Sequence, residues 1–409
     1  MPPRDVPARL QTLLEAAPID KYGASAFDEW VTKILALLEP VVEDDPDLLV
    51  SLHAEMRRHP ALWEKSLMTV NSAAELERVV RMIPFARFAF APRLGSLERK
   101  DAVALAASPS AANLIAIRLE EDDLEEIEAL EALVASSHLQ NLEQFEYLAI
   151  SLGADGFRAL TKATRWPRLR HLRLSWNTIT VEEAEILSAW PQFSHLTVLD
   201  LDNTSLSPEA LAAFRHANAL EVLNLEANNL GDQGARALAA NPSFPNLKTV
   251  YLSGDAAGGT NDLTDDALVA LAGSSHLTGL QKLFLEGNNI GSEGVMALAA
   301  SPHLRSLEVL ALGSNDIGDD GVIALAQSSF LETLWALDLG HNPISDVAVS
   351  ALADSPHLSR LTTLNLIWTR VSAAAVKQLR RSERLPNLTT IQQGNVWVTG
   401  EEASRRWPD

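Results

Sequence analysis

The chain has 409 residues, 47% of them hydrophobic, with 33 Lys+Arg against 54 Asp+Glu and a formal net charge of −21. It contains no cysteine, which excludes disulfides, thiolate metal sites and cysteine nucleophiles and asks for no oxidising compartment. So large an acidic surplus repels nucleic-acid backbones and anionic membranes, and neither is expected as a partner.

Residues Met1 to Arg9 show no long apolar core after their charges, so no secretory signal is read there. No apolar run reaches the roughly 18 residues a membrane-crossing helix requires, and a cytoplasmic protein is expected. Residues 1–84 read as helices at about 8–17, 27–38, 47–58 and 73–82, separated by Pro18, Pro40, Pro46 and Pro60. They are expected to form a helical cap or, alternatively, a small docking domain.

From Phe85 to the C-terminus one frame recurs. Leu307-Glu-Val-Leu310-Ala-Leu312-Gly-Ser-Asn315-Asp-Ile317 aligns column by column with Leu334-Trp-Ala-Leu337-Asp-Leu339-Gly-His-Asn342-Pro-Ile344. Units start at Phe85, Leu114, Leu142, Leu169, Leu196, Leu220, Leu247, Leu280, Leu307, Leu334, Leu361 and Leu388, most often 27 residues apart, with one short interval of 24 and one long one of 33. A fixed period of this size marks a solenoid, which grows by stacking units and not by enlarging one core.

Each position has a physical role. Leu283 and Leu285 alternate with Phe284, so one face of a short strand points inward and the other outward. Asn288 stands where the chain leaves the strand, and its amide can serve both backbone donors and acceptors in a buried turn. Copies at Asn177, Asn228, Asn315 and Asn342 predict a ladder, interrupted where Asp122, Ile150, Thr204, Asp255 and Thr369 stand. A helix follows, as in Gly318-Asp319-Asp320-Gly321, whose acidic first turn suits free N–H groups. Val322, Leu325 and Ala326 form its apolar stripe. Pro302 and Pro356 end two such helices. Strands pack about 4.8 Å apart and helices about 10 Å. The expected fold is therefore a right-handed β/α horseshoe of about 11–12 repeats over residues 85–409, with the parallel sheet concave. Residues 394–402 are expected to close its last strand.

The frame L-x-x-L-x-L-x-x-N-x-I/L, followed by Gly-Asp-x-Gly, resembles the leucine-rich repeat family. The 27-residue spacing is most like its ribonuclease-inhibitor-like subclass, in a bacterial form. The resemblance implies a non-catalytic module that encloses protein partners. Ran GTPase-activating proteins also look like this subclass, so a small-GTPase regulator is the alternative, with Arg118 or Arg173 as arginines it could use. The thioester chemistry of bacterial leucine-rich-repeat ubiquitin ligases is closed to a chain without cysteine.

Little else suggests chemistry. His138, His276, His303 and His357 each lie four residues before a repeat start, which spreads them along the solenoid instead of gathering them. There is no P-loop, G-x-S-x-G or H-E-x-x-H. The insertion Ser253–Asp262 lacks the ligand alternation of a calcium loop. No enzyme, cofactor or metal is expected.

The outward positions, fourth, sixth and seventh after each start, are richer. They hold the acids Glu120, Glu121, Glu146, Asp200, Asp202, Glu226, Glu286 and Asp338 against Arg118 and Arg173. Among them stand Trp176, Tyr251, Phe284, His341 and Trp368, expected to project from the sheet. Aromatic anchors among charges predict a surface for a basic protein or peptide. Residues 85–360 carry 17 Lys+Arg against 36 Asp+Glu, whereas residues 361–409 carry 7 against 4. Self-association through the basic stretch Lys377–Arg384 is a further reading.

Overall fold

The structure is a computed structural model and describes residues 6–15, 24–44, 46–57, 68–84, 86–91, 99–120, 127–148, 152–254, 259–394 and 396–399. The expectations placed on Pro18, Pro60, Phe85, Glu121, Asp122, Ile150, Asp255 and residues 400–402 fall outside these, as does the side chain of Glu120. Among the described residues no helix is long and apolar enough to cross a membrane. The chain divides into two compact units, residues 1–150 with 158–170, and residues 151–157 with 171–409.

The first unit begins with helices Val6–Glu15, Ala24–Asp44, Pro46–Met56 and Ala73–Met82. Pro40 does not divide the second of these, as the sequence suggested, but lies inside it. It leaves the carbonyl of Ala36 without its helical donor; both residues face solvent, where water can take that donor's place. A second difference is strand β1 (Met68–Val70), inside the segment read as helical. It pairs in parallel with β2 (Phe88–Phe90). Strands β3 (Leu114–Glu120) and β4 (Gln144–Leu148) continue the same parallel order.

In the second unit nine strands follow in sequence order: β5 (His171–Arg173), β6 (Val198–Asp200), β7 (Val222–Asn224), β8 (Thr249–Tyr251), β9 (Lys282–Phe284), β10 (Val309–Ala311), β11 (Ala336–Asp338), β12 (Thr363–Leu366) and β13 (Thr390–Gln393). All pair in parallel and in register. Strand β14 (Val396–Thr399) turns back antiparallel on β13. Helices such as Ser292–Ala299 and Asp319–Gln327 return the chain from each strand to the next. This is the α/β solenoid the period predicts.

Inward leucines make the core. Leu283, Leu285, Leu310, Leu312, Leu337 and Leu339 are fully buried, as are Val322 and Leu325 from the helix layer. Each such side chain contributes about 1.5–3 kcal/mol by leaving water.

Three polar ladders bind repeat to repeat. Asn315 shows the first: its Nδ2 donates to Leu285 O at 3.0 Å and Leu312 O at 3.1 Å, and its Oδ1 accepts from Ile290 N at 3.0 Å. Asn288 and Asn342 bond alike. In the 33-residue repeat Asn261 fills the column, donating to Leu225 O and Leu252 O and accepting from Asn228 N. The six extra residues of the 33-residue repeat fall before the ladder position and leave it intact. Thr204 and Thr369 fill the column with a hydroxyl that donates to Leu201 O and Leu366 O.

The second ladder is serine. Ser274, Ser301 and Ser355 donate to Ala239 O, Ala272 O and Ala326 O in the preceding repeat at 2.5–2.6 Å. Each also accepts from the N–H two residues on, which belongs to His276, His303 and His357. Those histidines are loop residues whose main chain closes a turn.

The third ladder starts each helix from its neighbour. Asp319 was expected to cap its own helix; its carboxylate instead accepts from Ser345 N at 2.7 Å and Ser345 Oγ at 2.6 Å, the N-cap of the next helix. Asp232 holds Thr264 and Asp346 holds Ser372 in the same way. Asp265 accepts from Gly291 N and Gly294 N. These four aspartates therefore have structural roles.

Candidate functional site

Parallel register sets the fourth residues of successive repeats side by side. The row across the second unit runs Arg173, Asp200, Asn224, Tyr251, Phe284, Ala311, Asp338, Asn365, Gln392. The sixth residues form a second row, with Ser175, Asp202, Glu226, Ser253, Glu286, Gly313 and Gly340. Both rows lie on the sheet face opposite the helices.

The seventh position is a turn and not, as the frame suggested, part of the strand. Its N–H donates to the sixth carbonyl of the next repeat, as from Trp176 to Asp202 O at 3.1 Å and from His341 to Ile367 O at 2.7 Å. Most of these turn positions have positive φ: 63° at Trp176, 54° at Asn203 and Ala227, 68° at Gly287, 55° at Ser314 and His341, and 57° at Trp368. Glycine adopts that conformation freely, whereas a residue with a Cβ is strained in it.

One end of the face carries an ion-pair group. Arg173 Nε lies 3.1 Å from Asp200 Oδ2, and Arg173 Nη2 lies 3.4 Å from Asp202 Oδ1. Ser175 Oγ accepts from Arg173 Nε at 2.9 Å and donates to Asp202 Oδ1. Burial, with Asp202 beside it, pushes the Asp200 carboxyl up to about 7, despite the opposing pull of Arg173. Glu226 continues the acids on the next repeat, its N–H bonded to Asn224 Oδ1.

Toward the middle, Tyr251 and Phe284 stack with ring centroids 4.5 Å apart and planes 8° from parallel. They were expected to project. Phe284 instead keeps only 6% of its surface exposed, and Tyr251 is half-buried. Their neighbours Val309, Ala311 and Ala336 are small and buried with Phe284, and Tyr251 and Trp335 pack against this cluster.

Beyond this apolar floor sit two more acids. Glu286 accepts from Ser253 Oγ at 2.6 Å. Asp338 accepts from Asn365 Nδ2 at 2.9 Å and Gly340 N at 2.8 Å. Gly313 lies between them, close enough that a Cβ there would stand 3.2 Å from Asp338 Oδ1 and 3.5 Å from Glu286 Cγ. Burial pushes both carboxyls above the ordinary range, against the opposing effect of these hydrogen bonds. At the rim His341 stacks on Trp368, centroids 5.9 Å apart. Trp368 is 60% exposed and Trp176 53%.

Glu146 lies in the first unit. Its carboxylate accepts from Gln144 Nε2 and lies 3.5 Å from Arg118 Nε. The basic stretch after Lys377 lies in the helix layer of the second unit, where Lys377, Arg381 and Arg384 line a groove with Asp354 and Glu383. Among the described residues no group of three or more His, Asp or Glu is placed to hold a metal ion. The partners Ser175, Ser253, Asn365 and Trp335 escaped the sequence reading. The row positions that singled out the acids also contain the first three of them; Trp335 occupies the column next to the repeat start.

Strand, asparagine turn and helix, repeated in register, define an α/β solenoid with a parallel sheet. The Leucine Rich repeat family pattern matches residues 216–239, 276–299, 303–326 and 331–353. A chain in the crystal structure of the yeast Rad7 and Elc1 complex is similar over 90% of this chain and 95% of its own, at 16% identity and a TM-score of 0.52. An internalin, InlF, of Listeria monocytogenes is similar over 70% of this chain and 76% of its own, at 22% identity and a TM-score of 0.43. A chain of the TLR13–ssRNA13 complex covers 80% of this chain with 45% of its own, at 18% identity and a TM-score of 0.48. No curated protein matches the chain in sequence. Leucine-rich repeat proteins generally act in protein–protein interaction.

Proposed function

We propose that the second unit binds a basic protein or peptide on the outward face of its sheet and catalyses no reaction of its own. The observation that carries this reading is the acidic row itself. Asp200, Glu286 and Asp338 are held in partly desolvated positions that raise their carboxyls, in a stretch (residues 171–360) with seven Lys and Arg against 23 Asp and Glu. A cationic side chain brought to that row would favour the charged carboxylates that burial disfavours. The long-range field would also speed encounter. Arg173 engages Asp200 and Asp202, which speaks for a role in building the face and against its supply to a bound nucleotide as a GTPase regulator would require. In the same reading residues 1–84 cap the first unit, with β1 covering the edge of β2.

The test keeps shape and removes charge. The triple variant Glu226→Gln, Glu286→Gln, Asp338→Asn is compared with wild type for capture of cationic proteins at low and at high salt. Capture by wild type is expected to weaken as salt screens, and the variant to lose at least tenfold in affinity at low salt. Equal capture by both would remove the electrostatic basis of the reading.

A further inference from the structure

The rim of the second unit has a profile that neither charge nor fold requires. Its two exposed indoles stand at the seventh position after β5 and after β12, at opposite ends of the acidic row. Between Trp176 and the His341–Trp368 pair, no rim residue is larger than Asn203, and two are glycine. Seven strand steps separate the indoles, about 34 Å at ~4.8 Å per step. The sixth-position acids Asp202, Glu226 and Glu286 run beside this low stretch.

The indoles are also badly placed for stability. Both have positive φ, which a bulky side chain adopts only under strain. Both leave more than half their surface in water, so packing offsets little of it. Gly287, at the same position of another repeat, shows that the turn forms without any side chain.

Resting on the proposal above, we infer that the occupant is an extended, Lys- and Arg-rich peptide laid along the rim, with one indole packing against each end. At about 3.3 Å per extended residue the span takes roughly ten residues. Basic side chains reach down to Asp202, Glu226 and Glu286, while aliphatic stems and cationic heads lie against the indoles.

Peptides alternating lysine and glycine, of about 4, 8, 12 and 16 residues, are titrated calorimetrically against the full chain. Affinity is expected to rise at least tenfold from the shortest peptide to the 12-residue one and then level off, since the second anchor is engaged only when the span is covered. Trp176→Gly and Trp368→Gly should each return the 12-residue peptide to the affinity of the shortest one, with a thermal midpoint no lower than wild type. Affinity independent of length would overturn the inference, as would variants that lose binding only in proportion to a lowered midpoint. Lysozyme serves as the folded cationic probe. If it binds through the acids while the peptides do not, the extended occupant is wrong and the basic-partner reading stands. If neither binds, both readings fail.

Discussion

The turn that ends each strand has two sides with opposite characters. On the inner side Asn288, Asn315 and Asn342 are buried, and each binds main-chain groups of its own and the preceding repeat. On the outer side, one residue earlier, the N–H of the rim position donates to the next repeat at most units, and its side chain varies from glycine to tryptophan. The stack dictates the backbone on both sides but the side chain on one alone. Variation is therefore concentrated where a partner can reach, and a bulky residue kept there against its backbone preference is a stronger pointer to binding than an exposed one elsewhere.

Substitutions can break that contrast or sharpen it. The largest effect is expected at the inner side. Asn315→Ala strands several buried main-chain groups and should cost about 3–5 kcal/mol, read as a lowered urea midpoint. Asn315→Thr should retain about half of that, as Thr204 and Thr369 retain one donor. Next comes Arg173→Met, which leaves Asp200 and Asp202 without their cation. About 2–3 kcal/mol should be lost at pH 8, and less at pH 5, where Asp200 takes up a proton. Ser301→Ala removes one rung of the serine ladder and should cost about 1–2 kcal/mol. His303→Ala should cost almost nothing, since only its main chain participates.

Acidity gives a fourth handle. Asp200 holds its proton more tightly folded, up to about pH 7, than unfolded, where a carboxyl releases it near its ordinary value. The unfolded chain therefore binds fewer protons between those limits, and stability falls as pH rises through them. Glu286 and Asp338 act in the same direction. Chemical melts of the whole chain should show the second unit gaining stability from pH 8 to pH 5, and Asp200→Asn should flatten that slope. Asp346, lowered by its bonds to Ser372, acts oppositely and only below the ordinary carboxylate range. A change of favourable sign is expected at the rim. Ala227→Gly or Ser314→Gly relieves a positive φ and should add at most about 0.5–1 kcal/mol.

Much of this was legible in the sequence because repetition turns weak signals into strong ones. The strand–turn–helix order, the inward leucines and the asparagine column were all visible as aligned residues. The site was legible only in position. Columns named Asp200, Glu286 and Asp338, but not that Arg173, Ser253 and Asn365 already hold them, because such bonds run between repeats at right angles to the chain. Phe284 looked like an anchor for the same reason: its burial depends on Ala311 and Ala336, one and two repeats further on. The strain at Trp176 could not be seen at all, since nothing in its own residue type reports the positive φ of its turn. Asn261 was missed because the insertion shifted it out of frame.

The acidic caps that reach forward from Asp232, Asp265, Asp319 and Asp346 make the array directional. Melting any one coil would deprive its successor of the acceptor that starts the following spiral. Through the helix caps damage should then travel toward the C-terminus, whereas the asparagine column, which reaches back one repeat, carries it toward the N-terminus.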